Sequence, residues 1–461
     1  GGSFGGGFGG GAGAGFLAGG ASGGGGFLLF LIIVVVIVVV LFYSRKGRLP
    51  SLSDLPAQWP SVPAGPLLQP AEAGLATIQA DDPGFDRETF LQRAQMALVL
   101  VKQAWQARNP ASALPYLTPH VYQGWSGQLT ALVSQGRTPY LENLNVRGMW
   151  VVRADGGPGG DHIAVHFDFV ASAYVLDQAS QVVEGKREDI WMAEEWTFGR
   201  AAGVKTVVNG GVTNQKCPNC GSPLALNEVG ECTHCKAPVT SGQFDWVVEE
   251  MNPASPQPES WLNGNSVPGL SPEDGIAAIR GKDATFDPSN FHDRAEKAFM
   301  QLEQAWQDRN LDEGRAYMSP GLFLTWSGQV DQLIRLHKKN VMENLRILRH
   351  QVVKVVPGQE FDEITVRFDA ASTDYEVDET SGKVVFGDKS EHPFVEYWTF
   401  QRSAGVKTIV QGGVVDKQCP NCGAPLNINQ IGECSYCKAG VTSGKFDWVL
   451  SRIEQEEEWR G

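Results

Sequence analysis

One stretch of about 180 residues occurs twice in this chain. Residues 74–251 and 275–461 align at an offset of 201, which slips to 202 after one extra residue near Gly382. Phe85-Asp86 returns as Phe286-Asp287, Trp105 as Trp306, and Trp125-Ser126-Gly127 as Trp326-Ser327-Gly328. Glu142-Asn143-Leu144 returns as Glu343-Asn344-Leu345, and Trp196-Thr197-Phe198 as Trp398-Thr399-Phe400. A repeat of this length is a whole domain, not one turn of a solenoid, whose periods run about 20–50 residues. The chain must therefore build two similar bodies, each large enough for its own core. The duplication is also a filter: chemistry common to both copies needs its residues in both.

The net charge is −14 over 461 residues, and each copy alone carries −6. Neither copy has the basic excess of a nucleic-acid binder, whose affinity comes largely from phosphate neutralisation. The same acidity argues against broad adhesion to anionic lipid. Arg335, Lys338 and Lys339 read as a solvated helix face. All eight cysteines fall in two clusters, so none remains for a disulfide or a lone nucleophile.

Residues 27–43 are uncharged and strongly apolar. Their length reaches the lower bound for crossing a bilayer, and they read as a transmembrane helix. Ser44-Arg45-Lys46-Gly47-Arg48 follows at once, while residues 1–26 carry no charge. The positive-inside bias then puts the N-terminus outside and everything after residue 48 in the cytoplasm. Reduced cysteines suit that side. The chain starts with Gly, not Met, which we read as the mark of a removed signal peptide. Residues 1–26 are Gly-rich and read as flexible. Gly15, Gly19 and Gly23 have the spacing of close helix contacts in membranes, which keeps self-packing open. Residues 44–73 and 252–274 are Pro-rich and read as linkers.

Each copy opens with a short apolar segment, Gly74–Ile78 and Gly275–Ile279. An amphipathic helix follows, with Phe90, Ala94, Leu98, Val101 and Trp105 on one stripe and Phe291, Ala295, Phe299, Leu302 and Trp306 repeating it. Thr118-Pro119 and Ser319-Pro320 have the form of an N-cap followed by Pro at the first helical position. Strands come next, among them Ile163–Phe169, Ile364–Asp369, Trp196–Phe198 and Val204–Val208. Helices first and an antiparallel sheet afterwards define an α+β class. The expected domains span 74–213 and 275–415. Small Cys-rich modules follow at 214–251 and 416–461, the latter ending in an acidic helix through Glu454–Glu458.

Cys217, Cys220, Cys232 and Cys235 have the spacing C-x2-C-x11-C-x2-C, and Cys419, Cys422, Cys434 and Cys437 repeat it. Each close pair can grip one ion from a tight turn, and two pairs complete a tetrahedral thiolate site. Gly221 and Gly423, directly after the second Cys, allow the left-handed backbone of that turn. Zinc is the default occupant, two structural ions per chain, and a rubredoxin-like iron site is the alternative. Four thiolates leave no open position for water, so such a centre staples a knuckle and does not catalyse. The segments Thr240–Trp246 and Thr442–Trp448 then return the chain to the preceding domain, with Trp246 and Trp448 as packing anchors.

No catalytic set passes the duplication filter. The His residues do not correspond: His120, His162, His166 and His234 align with Gly321, Glu363, Arg367 and Tyr436. The shared polar positions are Asp168/Asp369, Tyr174/Tyr375, Asp177/Asp378 and Glu194/Glu396. They are expected to cap turns or pair across strands. No phosphate loop, Ser-His-Asp order or nucleotide fingerprint is present.

Asp82-Pro83-Gly84-Phe85-Asp86, the helix end Gln103–Asn109 and the strand Glu194–Phe198 resemble the Tim44-like domain. Phe286-Asp287, Gln304–Asn310 and Glu396–Phe400 repeat the likeness. The resemblance implies an NTF2-like fold, with helices packed on a curved antiparallel sheet around an apolar pocket. Mitochondrial members tether a chaperone to a translocase or receive ribosomes at the inner membrane. Bacterial relatives carry a signal peptide, a Gly-rich tract and one span, as here, which suggests a prokaryotic plasma membrane. The combined expectation is a membrane-anchored, non-enzymatic scaffold that binds a protein partner or itself. One alternative is a small-molecule or lipid-binding, or enzymatic, NTF2-like pocket. Another is a structural protein assembling through its N-terminus and span.

Overall fold

The computed structural model describes residues 71–206, 216–255, 270–358, 361–409, 414, 417–429 and 431–459. The apolar stretch 27–43, the Gly-rich segment before it and most of both linkers lie outside these residues. Among the described residues no helix is long and apolar enough to cross a membrane.

Each copy folds as three helices against a four-stranded antiparallel sheet. The first has α1 (Ala71–Asp81), α2 (Arg87–Gln106), α3 (Pro119–Ser134), β1 (Thr138–Asp155), β2 (Asp161–Leu176), β3 (Val182–Arg200) and β4 (Val247–Ala254). The second has α4 (Pro272–Lys282), α5 (Pro288–Gln307), α6 (Pro320–Arg335), β5 (Lys338–Pro357), β6 (Phe361–Asp378), β7 (Val384–Ser403) and β8 (Val449–Gln455). The sheet orders are β1-β2-β3-β4 and β5-β6-β7-β8. These elements are the expected α+β arrangement.

The helix stripes read from the sequence are the ones that pack. Phe90, Ala94, Leu98 and Val101 of α2 meet Ile163, Val165, Phe167 and Phe169 of β2, and Phe291, Ala295, Phe299 and Leu302 of α5 meet Ile364, Val366 and Phe368 of β6. Strand alternation sends these odd-numbered β2 residues and even-numbered β6 residues to the helix-covered face. The long helices begin at Asp86 and Asp287, whose carboxylates accept from Thr89 N and Ser289 N. Ser319 caps α6 through Leu322 N, but Thr118 makes no side-chain cap bond on α3. Its amide instead donates to Val248 O, which ties the helix start to β4.

Four boundaries differ from the sequence reading. The opening segments at 74–78 and 275–279 belong to full helices, because Leu75 and Ile78 are buried one turn apart. Gly74 and Gly275 let these helices ride on the strand below, since a Cβ there would lie 2.0 Å from Ala154 O or 2.6 Å from Val355 Cβ. Val204–Thr206 is not a strand, because it is needed elsewhere: Thr206 bonds Asp82. The acidic end is not a helix. Glu454 lies in β8 and is buried. Nor does each domain end before its Cys module: β4 and β8 follow the modules and complete the sheets by pairing with β3 and β7.

The two copies share a seam. Helices α2 and α6 pack together. Gln103 Nε2 donates to Leu324 O at 2.7 Å, Gln106 Nε2 to Gln332 Oε1 at 2.7 Å, and Gln332 Nε2 to Glu142 Oε1 at 3.0 Å. Asn145 Nδ2 donates to Ile453 O at 2.7 Å. Buried Arg147 meets Glu454 at 2.7 Å and Glu458 at 2.9 Å as close charge contacts. The tail of the second Cys module also clasps the first copy: Lys445 pairs with Asp86 at 2.6 Å, and Gln92 donates to Ser443 O.

Candidate functional sites

The cysteines converge as their spacing predicts. In each module the four Sγ atoms lie within 4.8 Å of one another. Cys217 and Cys235 are 3.7 Å apart, Cys419 and Cys437 3.6 Å, and Cys422 and Cys434 4.0 Å. Sulfurs bound tetrahedrally at about 2.3 Å from zinc would stand about 3.8 Å apart, so the tetrads fit the ion. Two turns form each grip. Gly221 N bonds Cys217 O and Lys236 N bonds Cys232 O, both 2.8 Å, with Gly221 at φ 72° and Lys236 at φ 63°. The second module repeats this at Gly423 and Lys438.

The surroundings favour thiolate. Backbone N–H groups of Cys235 and His234 help hold the Cys232 thiol down at about 6. Asn421, donating to Cys437 Sγ at 3.4 Å, is the main cause that brings that thiol to about 6. Asn219 likewise donates to Cys235 Sγ at 3.4 Å. Burial pushes Cys217 up to about 11 and Cys419 up to about 12. Full ionisation of each tetrad therefore calls for a cation, and a bound zinc would supply that charge as a structural crosslink. The Asn pair recurs in the repeat at 219 and 421, a signal that the sequence reading did not use.

A second duplicated cluster was also missed from sequence. Asp82 accepts from Arg200 Nη1 at 2.8 Å, Thr206 N at 2.8 Å and Thr206 Oγ1 at 2.6 Å. Asp283 accepts likewise from Arg402 Nη1, Thr408 N and Thr408 Oγ1 at 2.9, 2.9 and 2.6 Å. Burial alone would raise the Asp283 carboxyl, but bonds from Thr285, Thr408 and Arg402 outweigh it and hold it well below the usual range. Arg200 and Arg402 also lie over Trp246 and Trp448, 4.6 and 4.7 Å from the ring centres. The two Trp are anchors, as expected: each cluster locks the helix start, the sheet and the exit of the Cys module.

The shared polar residues singled out in the sequence do not form one site. Asp168 lies on the strand face opposite Phe167 and Phe169, with His166 Nε2 at 3.3 Å from its Oδ1. Asp369 pairs with Arg367. Tyr174 OH donates to Glu142 at 2.8 Å. Asp177 and Asp378 cap turns through Ala179 N and Ser381 N. Of these, Glu194 and Glu396 lie on the helix-covered face of their sheets, accepting from Trp196 Nε1 at 2.8 Å and Trp398 Nε1 at 2.9 Å.

A family model finds the same duplication. The Tim44-like domain matches at residues 71–209 and 273–410. Among curated proteins none matches. One solved structure, an "Ntf2 like protein involved in plasmid conjugation", is 8% identical and covers 78% of this chain and 95% of its own, with a TM-score of 0.19.

Proposed function

The chain belongs to the Tim44-like family, whose two matches span more than half of it, and from that premise we propose a membrane-anchored scaffold that holds a protein partner. Tim44-like domains serve generally as non-enzymatic binding modules. One observation carries the reading: the shared polar clusters are spent on holding elements together. Asp82/Arg200/Thr206 and its copy lock helix to sheet, and the Cys tetrads are four-ligand sites of structural type. The zinc ions belong to the proposal, as does anchoring through residues 27–43 with the folded copies in the cytoplasm of a prokaryotic cell.

Native mass spectrometry of the full-length protein in mild detergent tests it. The expected result is two zinc ions per chain together with a stoichiometric protein partner or further copies of the chain. A lone monomer that carries only a small organic mass would overturn the scaffold reading.

A further inference from the structure

The seam between the copies holds a cavity of about 90 Å³. Its wall comes from both sides, chiefly α2 and β1 of the first copy and α6 and β8 of the second. Among the described residues no Lys, Arg or His lines it. Carboxamides, hydroxyls and carboxylates do, with the Trp326 ring beside them. The carboxylates are already engaged. Asn143 Nδ2 donates to both oxygens of Asp189, at 3.0 and 3.2 Å, and Ser172 Oγ donates to the first of them. Glu396 accepts from Gln455 Nε2 at 3.0 Å as well as from Trp398, and Glu458 meets Arg147 at 2.9 Å.

Two amides in the wall are not engaged. Gln95 of α2 and Gln329 of α6 line the cavity from opposite copies, and neither side chain hydrogen-bonds any described residue. Asn145 spends its Nδ2 on Ile453 O, and its Oδ1 accepts from no described residue. Gln95 and Gln329 are half-buried, whereas Gln128, the first-copy counterpart of Gln329, is exposed. The seam thus draws amides away from bulk water without giving them protein partners, which leaves their hydrogen bonds to whatever fills the cavity. Gly321 helps to seat one of them, since a Cβ there would collide with the Gln95 carboxamide. The first copy has His120 at that place.

We propose that the seam cavity binds a neutral, hydroxyl-rich ligand of about one ring, a sugar or cyclic polyol, which bridges the two copies. A carboxamide offers N–H donors at one end and an acceptor at the other, and a hydroxyl both donates and accepts. Gln95 and Gln329, pinned by no other bond, can turn either end toward a hydroxyl. The engaged carboxylates keep lone pairs that accept from further hydroxyls. Trp326 gives an apolar face to the C–H side of a ring, and Trp306 backs it edge-on with ring centres 5.1 Å apart. Other ligands fit less well. An anion would meet Asp189, Glu396 and Glu458 with no cation in the wall. An ammonium group only donates, so it would leave the amide N–H groups without acceptors. A nucleobase has a fixed donor and acceptor edge, which calls for amides held in one orientation.

Calorimetry and tryptophan fluorescence follow titration of the full chain with glucose, N-acetylglucosamine and myo-inositol. Glucosamine and glucose 6-phosphate serve as charged counterparts. The expected result is saturable binding of at least one neutral probe, one molecule per chain, and no saturation by glucose 6-phosphate. Gln329→Ala and Gly321→Ala should each weaken binding about tenfold, the loss expected for one hydrogen bond. Neither should disturb the fold: Gln329 makes no hydrogen bond to the described residues, and Gly321→Ala displaces only the end of the flexible Gln95 side chain. Circular dichroism checks both. Gln128→Ala, the matching change in the first copy, should leave binding unchanged. No saturable binding of any neutral probe, equal binding by all variants, or tighter binding of either charged counterpart than of glucose would overturn the proposal.

Discussion

Asp283 and Glu303 are both buried carboxylic acids, and their surroundings send them in opposite directions. Asp283 is charged and fully partnered, so Asp283→Ala strands the Arg402 guanidinium. Loss of one partner of such a pair costs about 3–5 kcal/mol, to be read from urea unfolding. Its folded pKa lies below the unfolded value of 3.8. The stability it contributes is therefore present above that value and is lost as pH falls through the folded one. Glu303 behaves the other way. Its folded pKa, about 7, exceeds the unfolded 4.5, so stability is greatest below 4.5 and declines as pH rises through about 7. The like charges of Glu396 and Asp374 reinforce that decline. Glu303→Gln should flatten the decline between pH 5 and 8, and thermal melts across that range measure it. An unchanged slope would place the titrating group elsewhere. Little of this was legible beforehand. The Cys tetrads were, because four ligands within 19 residues declare themselves locally. Asp82 and Arg200 lie 118 residues apart, and only their joint recurrence as Asp283 and Arg402 could have paired them.

At the scale of elements, the helix stripes and the central strands followed from periodicity. The first helices did not, because Gly74 and Gly275 look like breakers and are in fact contact points. The last strands did not either, because each stands beyond a Cys module whose own fold is local. That order has a consequence. β4 and β8 pair with β3 and β7 only after the chain has passed through the knuckle, so a metal bound there would help position a strand of the main sheet. Cys232→Ser should reduce bound zinc from two to one and expose the amides of β4 to hydrogen exchange. Cys434→Ser should do the same to β8. The two are not equivalent beyond that. Ser443 and Lys445 also hold the first copy at Gln92 and Asp86, so only Cys434→Ser should raise exchange at the start of α2. Equal effects of both variants on α2 would contradict this.

For the whole molecule, the seam is heterologous: α2 and β1 of one copy face α6 and β8 of the other. Among the described residues, a contact of that kind uses neither the α5 face of one copy nor the α3 face of the other, and its repeated use would build an open chain of molecules. The residues argue against repetition. Leu91, Gln92, Met96 and Val99 are buried in α2, while their counterparts His292, Asp293, Lys297 and Met300 in α5 are more exposed and more charged. The second copy is thus finished as an end, as terminal units of repeat proteins are. The pairing of copies should then be a property of one chain, sustained by contacts made once. Arg147 is the most buried of these. Its counterpart Leu348 is exposed, so Arg147→Leu installs a residue that the fold tolerates and removes only the seam. Arg452 still holds Glu454 at 3.0 Å, so the loss should fall below that of a fully stranded buried charge, at about 2 kcal/mol. We expect the parent protein to unfold in urea as one transition by tryptophan fluorescence, because the seam couples the two cores. In Arg147→Leu the copies should separate into two transitions with different midpoints. A single transition at the parent midpoint would mean that the α2–α6 packing alone couples the copies and that the Arg147 contacts contribute nothing to it.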